Sequence, residues 1–330
     1  MTSPRGVLIV GEHTNGQLGA PTLELLAHGR ALATALGEEL AIALLGESLG
    51  GLPQEAIAYG ADKVYAVTDP LLKEAHLDAY LGTLVKACEA HAPRIVLLAR
   101  TELGRDLGPR LALRLNTALA QDCLEVRLDS DKRLVAVRPV YGGNCTAVVT
   151  VASLPMMAAI RPKTAEPLPR NPSRRGQVIQ EAAGLAPSVI RTRVLQRVQE
   201  AQEGLRLETA RVVVAGGRGL GGAEPFHKEL QELASVLGAA VGATRAVVDI
   251  GWVPYSYQIG LTGKSISPDL YVTVGISGAS QHMAGCSGAK VIVAINKDSE
   301  AAIFKAARYG VAGDWKKVLP AFTKQLRELL

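Results

Sequence analysis

Through its first 120 residues the chain alternates short aliphatic runs with stretches whose apolar residues recur every three or four positions. The runs are Val7–Val10, Leu40–Leu45, Lys63–Val67 and Arg94–Leu98; the helical stretches are Thr22–Leu36, Leu77–Ala90 and Leu103–Leu115. Uninterrupted apolar strands alternating with amphipathic helices predict a parallel sheet covered on both faces. Leu134–Pro139, Thr146–Val151 and Met156–Ile160 then follow closely, separated by the turn sequences Tyr141–Asn144 and Ser153–Pro155. They read as antiparallel strands added to that sheet by hairpins. Prolines at 162, 167, 169, 172 and 187 mark 161–187 as a linker, with a short strand near Gln177–Gln180. Val189–Val198 alternates apolar with basic residues, as a half-exposed strand would.

A second α/β pattern starts at Ala210. Arg211–Ala215 is a strand, Gly216–Gly222 a glycine turn and Glu224–Leu237 a helix. Leu270–Val274 and Lys290–Ile295 are further buried strands; Ser299–Arg308 and Trp315–Leu329 are helices, the latter bent at Pro320. The fold class expected is α/β throughout. Residues 1–187 form a Rossmann-like parallel-sheet domain with added antiparallel strands and the linker, and residues 188–330 form a second parallel-sheet domain.

Composition narrows the function. With 48% hydrophobic and 20% charged residues in a chain of 330, wholesale disorder is excluded and two packed domains are expected. No apolar run approaches the 18–20 residues of a membrane span, and Val7–Val10, bounded by Gly6 and Gly11, reads as a strand rather than a signal peptide. The formal charge of +5 is mild; part of the excess sits at Arg170, Arg174, Arg175, Arg191, Arg193 and Arg197. No aromatic interleaves these arginines, so they read as a solvated linker or a partner-facing rim, not a nucleic-acid surface. Cys88, Cys123, Cys145 and Cys286 include no C-x-x-C pair and no His completes a metal set. A reducing, cytoplasmic setting without a metal is expected.

Four segments of the second half could carry chemistry. Gly217-Arg218-Gly219-Leu220-Gly221-Gly222 fits G-x-G-x-x-G between a strand and a helix, where glycines let a phosphate approach a helix N-terminus. The ribose-binding acid due about 20 residues later is missing, since the next strand ends near Thr244-Arg245 and Asp249 is the first acid after it. Nucleotide contact and a purely structural turn both remain open. Gly260-Leu261-Thr262-Gly263-Lys264-Ser265 ends like a P-loop, but Gln258 stands where the first glycine is required and Pro268 follows in place of a helix, which argues against ATP hydrolysis. Gly275-Ile276-Ser277-Gly278-Ala279 nearly matches the nucleophile elbow, yet Ala279 breaks it and no Asp–His pair follows. A cradle for a phosphate or sugar chain is the alternative, and His282 beside it is either structural or a ligand contact. Asn296-Lys297-Asp298 closes a strand, either capping the next helix or touching an adenosine. Most of these segments lie at strand C-termini, where open α/β sheets bind ligands, so one extended phosphate-bearing cofactor is the economical reading.

These stretches also carry a resemblance. VVVAGGRGL (212–220), VGATRAVVDIGWVP (241–254), QIGLTGKSISPDLYVTVGISGASQH (258–282) and VIVAINKDSEAAIF (291–304) resemble, in order, the C-terminal domain of the electron-transfer flavoprotein alpha (large) subunit family. VLIVGEHTNGQL (7–18) and VRPVYGGN (137–144) are similar to its first domain. The resemblance implies a DHS-like FAD-binding domain and a heterodimer with a beta subunit that holds AMP. It implies a redox carrier rather than a stand-alone enzyme, with no catalytic residue of its own. Electrons would come from dehydrogenases of the acyl-CoA type, as in fatty acid β-oxidation, and go to a membrane quinone oxidoreductase; NADH-oxidising, electron-bifurcating members are the alternative. By motif position, Arg218 would approach the flavin end and Arg245, after Thr244, would lie against the ring. Thr262 would hydrogen-bond near flavin N5, on a loop shaped by Gln258, Gly260 and Gly263. Ser277, Gly278, Ala279, Ser280 and Gln281 would surround the pyrophosphate and ribityl chain, His282 would meet the ring's carbonyl edge, and Asn296 and Asp314 would hold the adenosine. Two departures stand out: Leu261 where many members have Gln, and Thr244 where Ser is commoner. A guanidinium about 4 Å from an anionic reduced flavin is worth up to about 4 kcal/mol at an effective dielectric near 20, and cannot be lost by deprotonation.

Overall fold

The structure is a computed structural model and describes residues 3–143, 145–192, 194–196 and 206–329. The chain divides into two compact units. The described residues up to Pro139 and from Thr146 to 196 form the first; Val140–Cys145 and the described residues from 206 onward form the second.

The first unit runs β1 (Val7–Val10), a small hairpin of β2 (His13–Thr14) and β3 (Gln17–Leu18), α1 (Ala20–Leu36), β4 (Leu40–Gly46), α2 (Leu52–Ala58) and β5 (Lys63–Thr68). It continues with α3 (Leu77–His91), β6 (Ile95–Ala99), α4 (Glu102–Arg114), β7 (Leu119–Cys123), β8 (Glu125–Leu128), β9 (Leu134–Val140), β10 (Cys145–Thr150), β11 (Met156–Ile160) and β12 (Gln177–Glu181). Seven strands form one parallel sheet in the order β12-β5-β4-β1-β6-β11-β7. Strand periodicity assigns its two cores. Val7 and Ile9 join Leu25, Leu26 and Leu32 of α1 on one face, while Leu8 and Val10 join Leu84 of α3 and Leu107 and Leu111 of α4 on the other.

The expected antiparallel additions are only partly right. β8 and β9 do pair antiparallel, but in a separate three-stranded sheet of order β10-β9-β8. β11 instead lies parallel between β6 and β7. All five of its residues, Met-Met-Ala-Ala-Ile, are buried, the mark of an internal parallel strand. The proline-rich 161–187 belongs to this unit and contributes β12, paired in parallel with β5. Val189–Val198 is not the expected strand where it is described. A 3₁₀ turn, Pro187–Val189, opens it, and Arg193, Arg197 and Val198 lie outside the described residues.

The second unit runs β13 (Val212–Gly216), α5 (Glu224–His227), α6 (Glu229–Leu237), β14 (Ala240–Thr244), α7 (Arg245–Asp249), β15 (Gln258–Ile259), β16 (Leu270–Val274), α8 (Ser280–Cys286), β17 (Val291–Asn296), α9 (Ile303–Ala306), β18 (Tyr309–Ala312) and α10 (Trp315–Leu329). Its six strands are parallel in the order β15-β14-β13-β16-β17-β18. The helix expected over Glu224–Leu237 is broken at Lys228, whose backbone is non-helical (φ −117°, ψ −84°). That expected over Ser299–Arg308 shrinks to the single turn α9. Asp298 turns the chain there through its own carboxylate, which accepts from Glu300 N. Tyr271, Ile292 and Ala294 pack with Cys286 of α8 and Ile303 on one face; Val272, Val274 and Ile295 pack with Leu230, Leu233 and Leu319 of α6 and α10 on the other. Among the described residues, no helix is long and apolar enough to cross a membrane.

Candidate functional site

The second sheet starts in its middle. β13 is followed by β14 and β15 on one side, and the chain then returns to β16, β17 and β18 on the other. The loops leaving β13 and β16 therefore diverge at the topological switch point, where parallel sheets leave a crevice at the strand C-termini. A cleft of about 870 Å³ opens there. It is lined by loop residues after β13 (Gly217, Arg218, Gly219), β14 (Thr244, Arg245, Asp249), β15 (Ile259 to Thr262), β16 (Gly275, Ile276, Ser277, Ala279, Gln281, His282) and β17 (Asn296, Lys297, Asp298).

Backbone contact fixes the floor of the cleft. Gly217 N–H donates to Val274 O (2.9 Å) and Gly219 N–H to Gly275 O (3.0 Å). A Cβ on Gly217 would stand 2.3 Å from Gly275 O, so only glycine lets the two loops meet. The glycine fingerprint thus serves loop-to-loop packing, with its amides at 217 and 219 already committed, while the same residues line the cleft. Gly278 has φ +81°, and a Cβ there would lie 2.3 Å from Ile303 N. It supports the loop from behind and is not among the lining residues.

The loop Gln258–Lys264 is a closed turn: Lys264 N–H donates to Gln258 O (2.7 Å), Gly263 N–H to Gly260 O (3.1 Å) and Leu261 N–H to Gln281 O (2.7 Å). Gln258, 3% exposed, sends its side-chain Nε2 to Thr262 Oγ1 at 3.0 Å. Tyr255 Oη donates to Thr262 O at 2.5 Å. Lys264 does not act as a phosphate lysine; its Nζ pairs with Glu208 at 3.1 Å and it is not among the lining residues.

His282 is 7% exposed, with both ring nitrogens engaged. Nδ1 lies 3.1 Å from Ile259 O, and Nε2 lies 2.8 Å from the hydroxyl of the fully buried Tyr271. Burial pushes its pKa down to about 4, the Ile259 carbonyl offsetting only part of that. A neutral ring so bonded has both nitrogens committed within the protein, and His282 lines the cleft.

The charged groups are mixed. Arg245, exposed, pairs through Nε with Asp249 Oδ2 at 3.2 Å across one helical turn of α7. Arg218 and Lys297 add positive charge and Asp298 negative. Asn296 donates from Nδ2 to Ile276 O (2.9 Å) and accepts from Asp298 N–H (3.1 Å), which ties the ends of β16 and β17 together. Ten of the fifteen expected residues therefore line one cleft: Arg218, Thr244, Arg245, Gly260, Thr262, Ser277, Ala279, Gln281, His282 and Asn296. Gln258, Gly263 and Gly278 stand behind it, and Ser280 opens α8. Asp314 is not among the lining residues and caps α10, its Oδ1 accepting from Lys316 N–H at 3.0 Å, while the adjacent Gly313 N–H donates to Asn296 O at 2.9 Å. Sequence reasoning missed Tyr271, hidden in a strand that reads as core. It also missed Asp249 as a cleft residue, though its spacing of four from Arg245 is an ion-pair signal.

Residues 7–186 match the electron transfer flavoprotein domain, and residues 206–287 match the electron transfer flavoprotein FAD-binding domain. The electron transfer flavoprotein subunit alpha of Megasphaera elsdenii is 40% identical over 98% of this chain and 97% of its own length. The chain belongs to the electron transfer flavoprotein alpha-subunit family. The Bacillus subtilis subunit alpha is 41% identical over 98% of both chains, and the Azorhizobium caulinodans protein FixB is 41% identical over 97% of this chain and 88% of its own. The matched second domain makes FAD the cofactor and electron carriage the broad role, and the alpha-subunit family implies a beta subunit as partner. The cleft suits that cofactor: about 870 Å³ lies in the range of cofactor sites, glycines at 217 and 219 let the loops after β13 and β16 meet, and arginines and hydroxyls line it.

Proposed function

We propose that this chain is the FAD-bearing subunit of a heterodimeric electron carrier that takes electrons from dehydrogenases of the acyl-CoA type and passes them to a membrane quinone oxidoreductase. The observation that carries the reading is the cleft at the switch point, where Arg218, Arg245 and the Thr262 hydroxyl line one wall system. FAD supplies the acceptance and release of electrons; the protein positions it and sets its potential. Arg245 supplies fixed positive charge toward a reduced ring, partly offset by Asp249. Thr262 offers a hydroxyl donor. Ser277, Ala279, Gln281 and Asn296 line the path available to the rest of the cofactor. No nucleophile or general base is required, so the chain acts as a carrier and not as a stand-alone enzyme. Residues 188–330 are the FAD-binding domain in this reading and residues 1–187 the partner domain, with AMP held by the beta subunit and the whole in the cytoplasm.

The test is reduction of the purified heterodimer. An acyl-CoA dehydrogenase with its acyl-CoA reduces the single FAD rapidly, and NADH alone does not. A second FAD, with bleaching by NADH, would overturn the reading in favour of a bifurcating member of the family.

A further inference from the structure

We propose that Gln258 is a positioning residue that fixes the Thr262 hydroxyl as a hydrogen-bond donor into the cleft. Gln258 sits at the start of β15, buried, with Nε2 3.0 Å from Thr262 Oγ1. An amide N–H can only donate, so it occupies a lone pair of the hydroxyl. Among the described residues no protein acceptor takes the Thr262 hydroxyl proton, and Thr262 lines the cleft. The proton is thereby left to point at whatever acceptor the cleft holds. The surrounding loop removes the other freedoms. Tyr255 clamps the Thr262 carbonyl at 2.5 Å. Gly263 lies so close to Gln258 that a Cβ would stand 2.5 Å from the Gln258 carbonyl oxygen and 2.8 Å from its Cγ, so the Gln258 side chain is held from behind. A serine or threonine hydroxyl otherwise rotates between donor and acceptor roles. Here one direction is set before any ligand arrives, which removes an ordering cost from binding.

The inference rests on the FAD reading above, in which Thr262 faces the flavin's N5, and the experiment separates the two. The heterodimer is loaded with FAD labelled with ¹⁵N at N5, and the N5 resonance is compared in wild type, Thr262→Val, Gln258→Glu and Gln258→Met. A carboxylate can only accept, so Gln258→Glu draws the Thr262 proton away from the cleft. Its N5 resonance moves downfield toward the Thr262→Val position, and its FAD dissociation constant rises about tenfold, which is about 1.4 kcal/mol. Gln258→Met frees the hydroxyl without reversing it, so its shift is smaller than that of Gln258→Glu. Equal shifts in the two Gln258 variants, or an unmoved N5 in Gln258→Glu, overturn the positioning role. An unmoved N5 in Thr262→Val overturns instead the reading that Thr262 faces the flavin. Should Gln258→Glu fail to fold, Gln258→Met decides: a shift between wild type and Thr262→Val supports the role, and an unmoved resonance overturns it.

Discussion

Tyr271 donates its hydroxyl to His282 Nε2 across 2.8 Å, in the buried layer beneath the cleft. The direction follows from the other end of the ring. Ile259 O, 3.1 Å from Nδ1, can only accept, so Nδ1 carries the proton and Nε2 must be the acceptor. His282 is thus a neutral spacer in a chain of bonds running from Tyr271 to Ile259, the residue that precedes the Gly260–Thr262 turn.

The first expectation concerns charge. Burial pushes the folded-state pKa of His282 down to about 4, against about 6.5 for a free imidazole. The unfolded ring therefore binds a proton that the folded one refuses between those values, and stability falls as pH drops from about 6.5 toward about 4, by up to about 3 kcal/mol. Long-range ¹H–¹⁵N spectra of the heterodimer show His282 as the Nδ1–H tautomer, with no titration from pH 8 to 5.5. A ring that titrates near 6.5, or one protonated on Nε2, would contradict this.

Tyr271→Phe keeps the packing and removes the donor. The buried Nε2 is then left unsatisfied, which costs about 1–3 kcal/mol in thermal or urea unfolding. His282 stays neutral because its burial is unchanged. A loss below about 0.5 kcal/mol would mean that the hydroxyl does not bond to His282.

In the first unit Asp122 gathers two arginines. Arg161 meets it bidentately at 2.9 and 2.8 Å, and Arg100 lies 3.3 Å away. The Arg161 and Asp122 side chains are only 15% exposed, so removing the shared carboxylate leaves two poorly solvated cations together. Asp122→Asn is expected to cost roughly 2–3 kcal/mol, near the lower end for breaking a buried pair. Urea unfolding checks it, and an effect within about 0.5 kcal/mol would show the cluster to be surface-like.

Legibility of the sequence followed physical clarity. Val7–Val10 is plain because an unbroken aliphatic run between glycines has few other uses, and Leu270–Val274 because a short β-prone run bounded by Pro268-Asp269 and Gly275 reads the same way. That ten of the expected residues share one cleft follows from their position at strand ends. β11 was misread because a three-residue turn before it resembles a hairpin connection, while the decisive feature, burial on both faces, depends on tertiary neighbours. The Tyr271–His282 bond was invisible for a related reason. The two residues are eleven apart, and only the packing of α8 over β16 brings them together. Asp314 is placed at the cofactor by motif position alone; the structure shows its carboxylate capping α10.

Arg245 and Asp249 act in opposite directions on whatever charge develops in the cleft. At 64% and 59% exposure both are screened, so each shifts the flavin's midpoint potential by only tens of millivolts, on a scale where about 59 mV is tenfold for one electron. Arg245→Ala lowers the potential, Asp249→Asn raises it, and the double change falls between. Spectroelectrochemical titration of the heterodimer measures all three. A potential insensitive to both substitutions would place the flavin ring elsewhere.

The central claim is that FAD occupies the cleft between the loops after β13 and β16. It is tested most directly by the visible spectrum and flavin content of the heterodimer, in wild type and in Gly219→Val. Gly219 lines the cleft, and a side chain there would meet the Gly275 backbone at 2.8 Å, so the substitution forces the loops after β13 and β16 apart. The account predicts one FAD per heterodimer in the wild type and at least a tenfold weaker hold on it in a folded Gly219→Val protein. A colourless wild-type heterodimer, or full retention of FAD in folded Gly219→Val, would contradict it.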